Sequence, residues 1–522
     1  MSGGHGIMTV KQTHEGIKSP PGRKGLKNTI RGDPMQFEDD YTRRRAYISR
    51  RQKQRKRQRM VRILIFFMIL GILAAAGAGI WLFKTKGFPG AGSHPAPDDP
   101  SASSPAEPGA DPGNGEDGET GTSPAETEPS GLDELLSRAS GLAASYDYDG
   151  AIALLKDSAE FSGEQAVLDA IASYEEIKTT LVRADTASIT HVFFHSLIMD
   201  NKKAFDGDSD EKGYNQVMTT KSEFLKILDQ MYERGYVLVR MRDIAYETTD
   251  ENGNPKFVAG DIMLPPGKKP FVMSQDDVCY YDYMKGDGFA TRIVIGDDGK
   301  PTCEMELDDG TVVTGSFDLV PLLEDFIAEH PDFSYKGARA VLAFTGYQGV
   351  LGYRTDPEYK DSNPNYEEDL ESVRQVAQCL RDGGWELASH SWGHINLGSR
   401  DLASVKTDTD KWEERVESLI GPTDIILYPF GADVGDWRAY TRENEKFAYL
   451  YDKGFRYFCN VDSSPAWVQL GSDYLRQGRR NLDGYRMYYD LPETNPSKDH
   501  LSDLFDVTTV FDRERPVPVP PM

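Results

Sequence analysis

From residue 187 onward the chain alternates between short apolar runs and amphipathic stretches, and this alternation limits the folds open to it. Seven strand-like segments (191–194, 236–239, 270–274, 338–344, 385–389, 425–428 and 455–461) are separated by helical stretches such as 221–234, 318–329, 366–381, 410–419 and 442–453. Parallel neighbours need a crossover of a dozen or more residues, usually a helix, so repeated βα units imply a parallel sheet. Seven such units in about 310 residues fit a sheet closed into a barrel, α/β in class and (β/α)7 in type. An open doubly wound sheet is the alternative, but no Gly-rich phosphate fingerprint follows the first strand, so a dinucleotide fold has no support. The segment 297–315, with its DDGK and DDGT turns, reads as an inserted β-hairpin.

Upstream, residues 63–83 form a run of 21 residues without a charged side chain, long enough to span a hydrocarbon core. Residues 1–62 hold 17 Lys and Arg against 5 Asp and Glu, a net of +12. Lys and Arg are retained on cytoplasmic flanks, so the N-terminus is expected inside the cell and the rest of the chain outside. A cleaved signal peptide and a buried core helix are the rival readings; the basic leader and the length of the run favour an uncleaved anchor. Residues 84–131 are rich in Pro, Gly, Ser and acids, the composition of an extended disordered linker. Residues 132–185 place Leu, Ile and Ala at helical spacing and read as a small helical unit, a spacer packing on the next domain rather than a binding module. A barrel over 186–500 and a tail over 501–522 complete the organisation.

The total formal charge of −25 leaves −37 on residues 63–522. A body this acidic argues against nucleic acid as the main partner. Four cysteines are too few for a scaffold built on disulfides.

Active sites of such barrels gather where the strands end. The third strand ends in FVMSQDDV, placing Asp276 and Asp277 together, and the fifth in ELASHSWGH, placing His390 and His394 at its tip. The sixth ends in ILYPFG. Two imidazoles and a carboxylate can hold a divalent ion with positions left for water and substrate, and a second carboxylate beside them can take a proton. Each element alone is commonplace, since Asp pairs cap turns and histidines recur by chance. Their convergence on strand ends raises the reading of a metal site. Tyr280, Tyr281 and Tyr283 follow the Asp pair, an aromatic cluster suited to stacking on sugar faces.

The combination SQDD, HSWGH and YPFG resembles the polysaccharide deacetylases of the NodB homology type, carbohydrate esterase family 4. The resemblance covers about residues 187–500 and implies a deformed (β/α) barrel that removes acetyl groups from N-acetylglucosamine polymers or xylan. By position it makes Asp276 the general base and Asp277, His390 and His394 the ligands of a divalent ion, zinc first. Ser391 would support the loop between the histidines, and the Phe430 amide would stabilise the oxyanion. Tyr428 and Pro429 of the third motif, Trp467 in VDSSPAW and Tyr280 would line the substrate site; Trp467 is otherwise core.

Two departures from the family pattern stand out. Leu427 occupies the third motif's Arg position, and the C-terminal L-x-H is missing. The first strand, HVFFHSL, carries that lost shape in Phe193, Phe194 and His195. This resembles the permuted branch, similar to the poly-N-acetylglucosamine deacetylases, and makes His195 the general acid; otherwise it is a core histidine. Arg480, in RRNLDGY, would replace the absent Arg or form a surface salt bridge. The expected activity is hydrolysis of N-acetyl groups on peptidoglycan or a secreted aminosugar polymer. The alternatives are an O-acetyl esterase and a glycan-binding scaffold that kept the groove and lost its chemistry.

Overall fold

The computed structural model describes residues 131–522. Thr190–Phe194 (β1), Tyr236–Leu238 (β2), Lys269–Gln275 (β3), Val341–Phe344 (β4), Glu386–Ser389 (β5), Ile425–Leu427 (β6), Tyr457–Val461 (β7) and Leu475–Asn481 (β8) form the large sheet. Seven of them close a parallel ring in the order β3, β4, β5, β6, β7, β8, β1 and back to β3. The closed α/β barrel is as the sequence implied, but its membership differs. β2 lies off the ring, pairing with the first half of β3 on the edge whose second half meets β4. The seventh member is β8, which the sequence reading passed over because LRQGRRN has no apolar run.

Alternation along the strands sorts side chains into two layers. On β1, Val192 and Phe194 join the outer core with Phe224, Ile227, Leu228 and Met231 of Lys221–Glu233 (α1). Thr220 and Glu223 cap that helix reciprocally, satisfying two backbone donors at its start. The Phe194 and Phe224 rings meet edge to face at 5.1 Å. His191 and Phe193 point the other way, into the barrel, as do Val272 and Ser274 on β3.

Inside the barrel, Val272, Val341, Ala343, Ile425, Leu427 and Leu475 form one apolar cluster with Leu135, Ala139, Leu155 and Val167 of the helical unit. The helices Gly131–Ala144, Tyr148–Lys156 and Gln165–Lys178 therefore pack where the strands begin, opposite the Asp and His residues. Tyr146 stacks on Tyr335 at 6.4 Å and donates to the Asp332 carbonyl at 2.9 Å, just upstream of β4. The insertion is a three-stranded antiparallel sheet, Arg292–Ile295, Pro301–Glu306 and Val312–Gly315, one strand more than the expected hairpin. Residues 501–522, read as a tail, pack against the barrel through buried Leu504, Phe505, Val510 and Phe511. Arg515 there forms a fully buried ion pair with Glu223 at 2.5 Å.

The apolar run 63–83, its basic leader and the linker 84–131 fall outside the described residues except for Gly131. Among the described residues no helix is long and apolar enough to cross a membrane. Cys279, Cys303, Cys379 and Cys459 are free thiols.

Candidate active site

The sheet ladder runs one residue past β3 and β5, so that Asp276 N–H donates to Phe194 O and His390 N–H to Phe344 O, both at 2.9 Å. Those two residues are thereby fixed by the sheet. The chain then leaves it abruptly, with Asp277, Ser391, His394 and Phe430 at φ of 59°, 58°, 51° and 58°. Left-handed backbone is costly for residues with a Cβ, and four of the eight such non-glycine positions among the described residues fall around this one spot.

Asp277, His390 and His394 bring one ligand atom each within 4.8 Å of one another. His394 Nε2 is 3.7 Å from Asp277 Oδ2, and His390 Nε2 is 3.8 Å from Asp276 Oδ2. His390 Nδ1 donates to the Leu427 carbonyl at 2.7 Å, which leaves Nε2 bare and facing the carboxylates. Burial pushes the His390 imidazole down to about 4, keeping it neutral and able to bind a cation at neutral pH. Burial alone would raise the Asp277 carboxyl, but His394, His390 and His195 together hold it below the usual range. Tyr281 donates to Asp277 Oδ1 at 2.7 Å and meets Thr345 Oγ1 at 2.8 Å, leaving Oδ2 turned to His394. This donor set, two imidazoles and a carboxylate with a fixed outer partner, fits zinc or a similar divalent ion. A second grouping, Asp208, Asp210 and Asp287, offers carboxylates alone.

Asp276 stands beside that triad, 3% exposed, with Arg479 Nη1 donating to its Oδ1 at 2.6 Å. Burial would raise this carboxyl, but the Arg479 guanidinium overrides it, helped by His390, and holds it well below the carboxylate range. Arg479 thus makes the contact to Asp276 that the resemblance assigns to an Arg at position 427. It comes from β8, two strands away from β6, so the motif spacing gave no sign of it. Arg480 points to the opposite face of β8 and grips both oxygens of Asp503 at 2.8 Å, so of its two readings the salt bridge is the one seen, with the Arg end buried and the Asp end exposed. The usable signal was the period-2 alternation in LRQGRRN, which puts Gln477 and Arg479 on one face and Arg476 and Arg480 on the other.

His195 lies one residue beyond β1, on the inward-facing side with His191 and Phe193. Its Nδ1 donates to the Val217 carbonyl at 3.0 Å, which leaves Nε2 outside that bond. Ser391 Oγ accepts from the Ile395 amide at 3.0 Å, tying together the loop that carries both histidines. Asp408, which the sequence reading missed, accepts from the Trp392 and Gly393 amides of the same loop at 2.8 Å each.

The expected substrate-contact residues need correction. Tyr280 is buried, and its hydroxyl donates to Asp318 at 2.6 Å, away from the mouth; its neighbour Tyr281 takes the place beside Asp277. Tyr428 is buried against the Tyr440 hydroxyl at 3.2 Å, and Pro429 is buried with it. Of that motif only Phe430 reaches the surface, 59% exposed, its ring edge-on to His394 at 4.5 Å. Trp467 lies 5.0 Å from the Arg476 guanidinium, on the face of β8 opposite Arg479.

No protein-family model matches the chain, and no curated protein does. Among solved structures it is similar to the Streptococcus pyogenes deacetylase PplD in complex with acetate, at 13% identity and TM-score 0.32, over 60% of this chain and 97% of that one. It is also similar to a Bacillus anthracis protein described as a polysaccharide deacetylase, at 12% identity and TM-score 0.32, over 56% of this chain and 64% of that one. Similarity at this level carries no argument of its own.

Proposed function

We propose that the protein is a divalent-metal-dependent polysaccharide deacetylase that hydrolyses N-acetyl groups on glycans containing N-acetylglucosamine. The observation that carries this is one carboxylate, Asp276, clamped by Arg479 beside a separate set of metal-type ligands, Asp277, His390 and His394. An ion held by those three residues would supply Lewis acidity to the acetyl carbonyl and to water. Asp276, kept ionised by Arg479, accepts the proton of the attacking water. The Phe430 amide, on a left-handed turn with the ring 4.5 Å from that of His394, is assigned the developing oxyanion. His195, its Nδ1 held by the Val217 carbonyl, carries a second proton on Nε2 for this step and gives it to the departing nitrogen, so that acetate and a free amine leave while Asp276 keeps the proton taken from the water.

The permuted branch is inferred from His195, which stands at the end of the first strand of the ring. The scaffold alternative leaned on the missing Arg at position 427 and on a loose match of 462–467 to the family's fourth motif; Arg479 removes the first support. The basic leader and apolar run make the protein a single-pass membrane protein with its barrel outside, which puts peptidoglycan first among substrates and a secreted aminosugar polymer second.

The test is release of acetate and free amine from N-acetylglucosamine oligomers and from peptidoglycan, before and after chelation and on adding back zinc. Release of both products, lost to chelator and restored by metal, is expected. Acetate without amine, from O-acetylated glycan only, would replace this reading with an esterase.

A further inference from the structure

Asp276 is clamped by Arg479, but Arg479 is itself held by very little. Among the described residues its Nε and Nη2 are buried without a hydrogen-bond partner, while the guanidinium lies 4.5 Å from the Phe193 ring centre. Only Nη1 is engaged, donating to Asp276 Oδ1 at 2.6 Å and to Ser274 Oγ at 3.3 Å. Ser274 is therefore the one polar group besides the base that fixes the guanidinium.

Behind Ser274 the polar groups run on into the barrel, and the chemistry of each sets the direction of every bond. The Ile189 carbonyl can only accept, so the Gln477 amide nitrogen donates to it at 2.9 Å. That turns Gln477 Oε1, an acceptor, to His191 Nδ1 at 3.1 Å, which must carry the proton. Burial drives the His191 imidazole down to about 3, so the ring is neutral and its Nε2 is bare. Nε2 then accepts from the Ser274 hydroxyl at 2.9 Å. With its proton committed to His191, Ser274 Oγ meets Arg479 through lone pairs alone. All five residues from Gln477 to Asp276 are at most 3% exposed, so water offers no competing partner.

We propose that His191 and Ser274 are positioning residues for the reaction: they orient Ser274 Oγ as a pure acceptor, which sets Arg479, which sets Asp276. This rests on the reading of Asp276 as the base. A Ser274 hydroxyl free to rotate would present its proton to the guanidinium for part of the time and let Nη1 swing off the carboxylate. Catalysis by a base is sensitive to sub-ångström placement, whereas substrate binding at the mouth is not touched by groups buried beneath Arg479.

Full-length wild type, Ser274→Ala, His191→Leu, His191→Gln and the Ser274→Ala/His191→Leu double variant are compared for acetate release from an N-acetylglucosamine oligomer. Each of the first two single variants should lose about tenfold in kcat with KM unchanged, and the double variant should lose no more than either, because both break one chain. His191→Gln keeps an acceptor for Ser274 and a donor for Gln477 and should recover most of the loss. In 15N-histidine-labelled full-length protein, His191 should show the Nδ1–H tautomer, its Nε2 resonance shifting in Ser274→Ala. Wild-type kcat in folded Ser274→Ala, independent losses in the double variant, or an Nε2–H tautomer would each overturn the proposal. If wild type released no acetate, the deacetylase reading would fail, while the tautomer would still decide whether the chain exists.

Discussion

The ion pair between Arg479 and Asp276 gives the sharpest quantitative test. Its atoms are 2.6 Å apart, with 0% and 4% of the two side chains exposed, so neither charge has water to fall back on. Removing one partner of such a pair typically costs about 3–5 kcal/mol, because the other charge stays buried without compensation. Arg479→Met should therefore lose about that much in urea unfolding, less whatever Asp276 recovers by taking up a proton. The same protonation removes the base, and activity should fall by about 10²–10⁴-fold, the usual contribution of a positioned base. Asp276→Asn should destabilise in turn by orphaning the guanidinium. The double variant Arg479→Met/Asp276→Asn leaves no stranded charge and should be more stable than the sum of the singles by about 2 kcal/mol or more. Additivity to within about 0.5 kcal/mol would refute the reasoning, since independent sites add to that tolerance.

Two further outcomes follow from the same geometry. Tyr281→Phe removes the hydrogen bond that holds Asp277 Oδ1 and should weaken zinc binding by about 10–100-fold in a chelator competition, with the fold unchanged. His191 carries a pH signature: its imidazole falls from 6.5 to about 3 on folding, so above pH 6.5 both states are neutral and stability is complete. Between pH 6.5 and about 3 the unfolded chain takes up a proton that the folded one refuses, and stability drops as pH falls. Unfolding free energies from urea titrations across that window should decline less steeply in His191→Gln, by up to about 1.4 kcal/mol per pH unit.

The apolar strands were legible because strands buried on both faces read as continuous hydrophobic runs, as in FVM of β3 and VLAF of β4. The Asp pair and the two histidines were legible because chemistry concentrates at strand ends. β8 was not, because its inward face carries Gln477 and Arg479, polar residues whose partners lie on other strands. The exchange of Arg480 for Arg479 shows how a one-residue shift along a strand moves a side chain to the opposite face. Tyr280 and Tyr281 were confused for a related reason. Asp277 and Tyr280 both adopt left-handed backbone, at φ of 59° and 50°, so the chain between them follows neither helical nor strand spacing. β2 was counted into the ring since its sequence, YVL, is as apolar as any member's, and only pairing partners reveal that β4 takes the remaining edge of β3.

The central claim is that Asp276 performs the proton transfer while Asp277, His390 and His394 hold the ion. The most direct measurement takes Asp276→Asn and His394→Ala beside wild type and determines zinc content and acetate release on the same samples. The account predicts that Asp276→Asn keeps about one zinc per chain and loses acetate release by at least about a hundredfold, whereas His394→Ala loses both. Acetate release at the wild-type rate by zinc-loaded Asp276→Asn would contradict it.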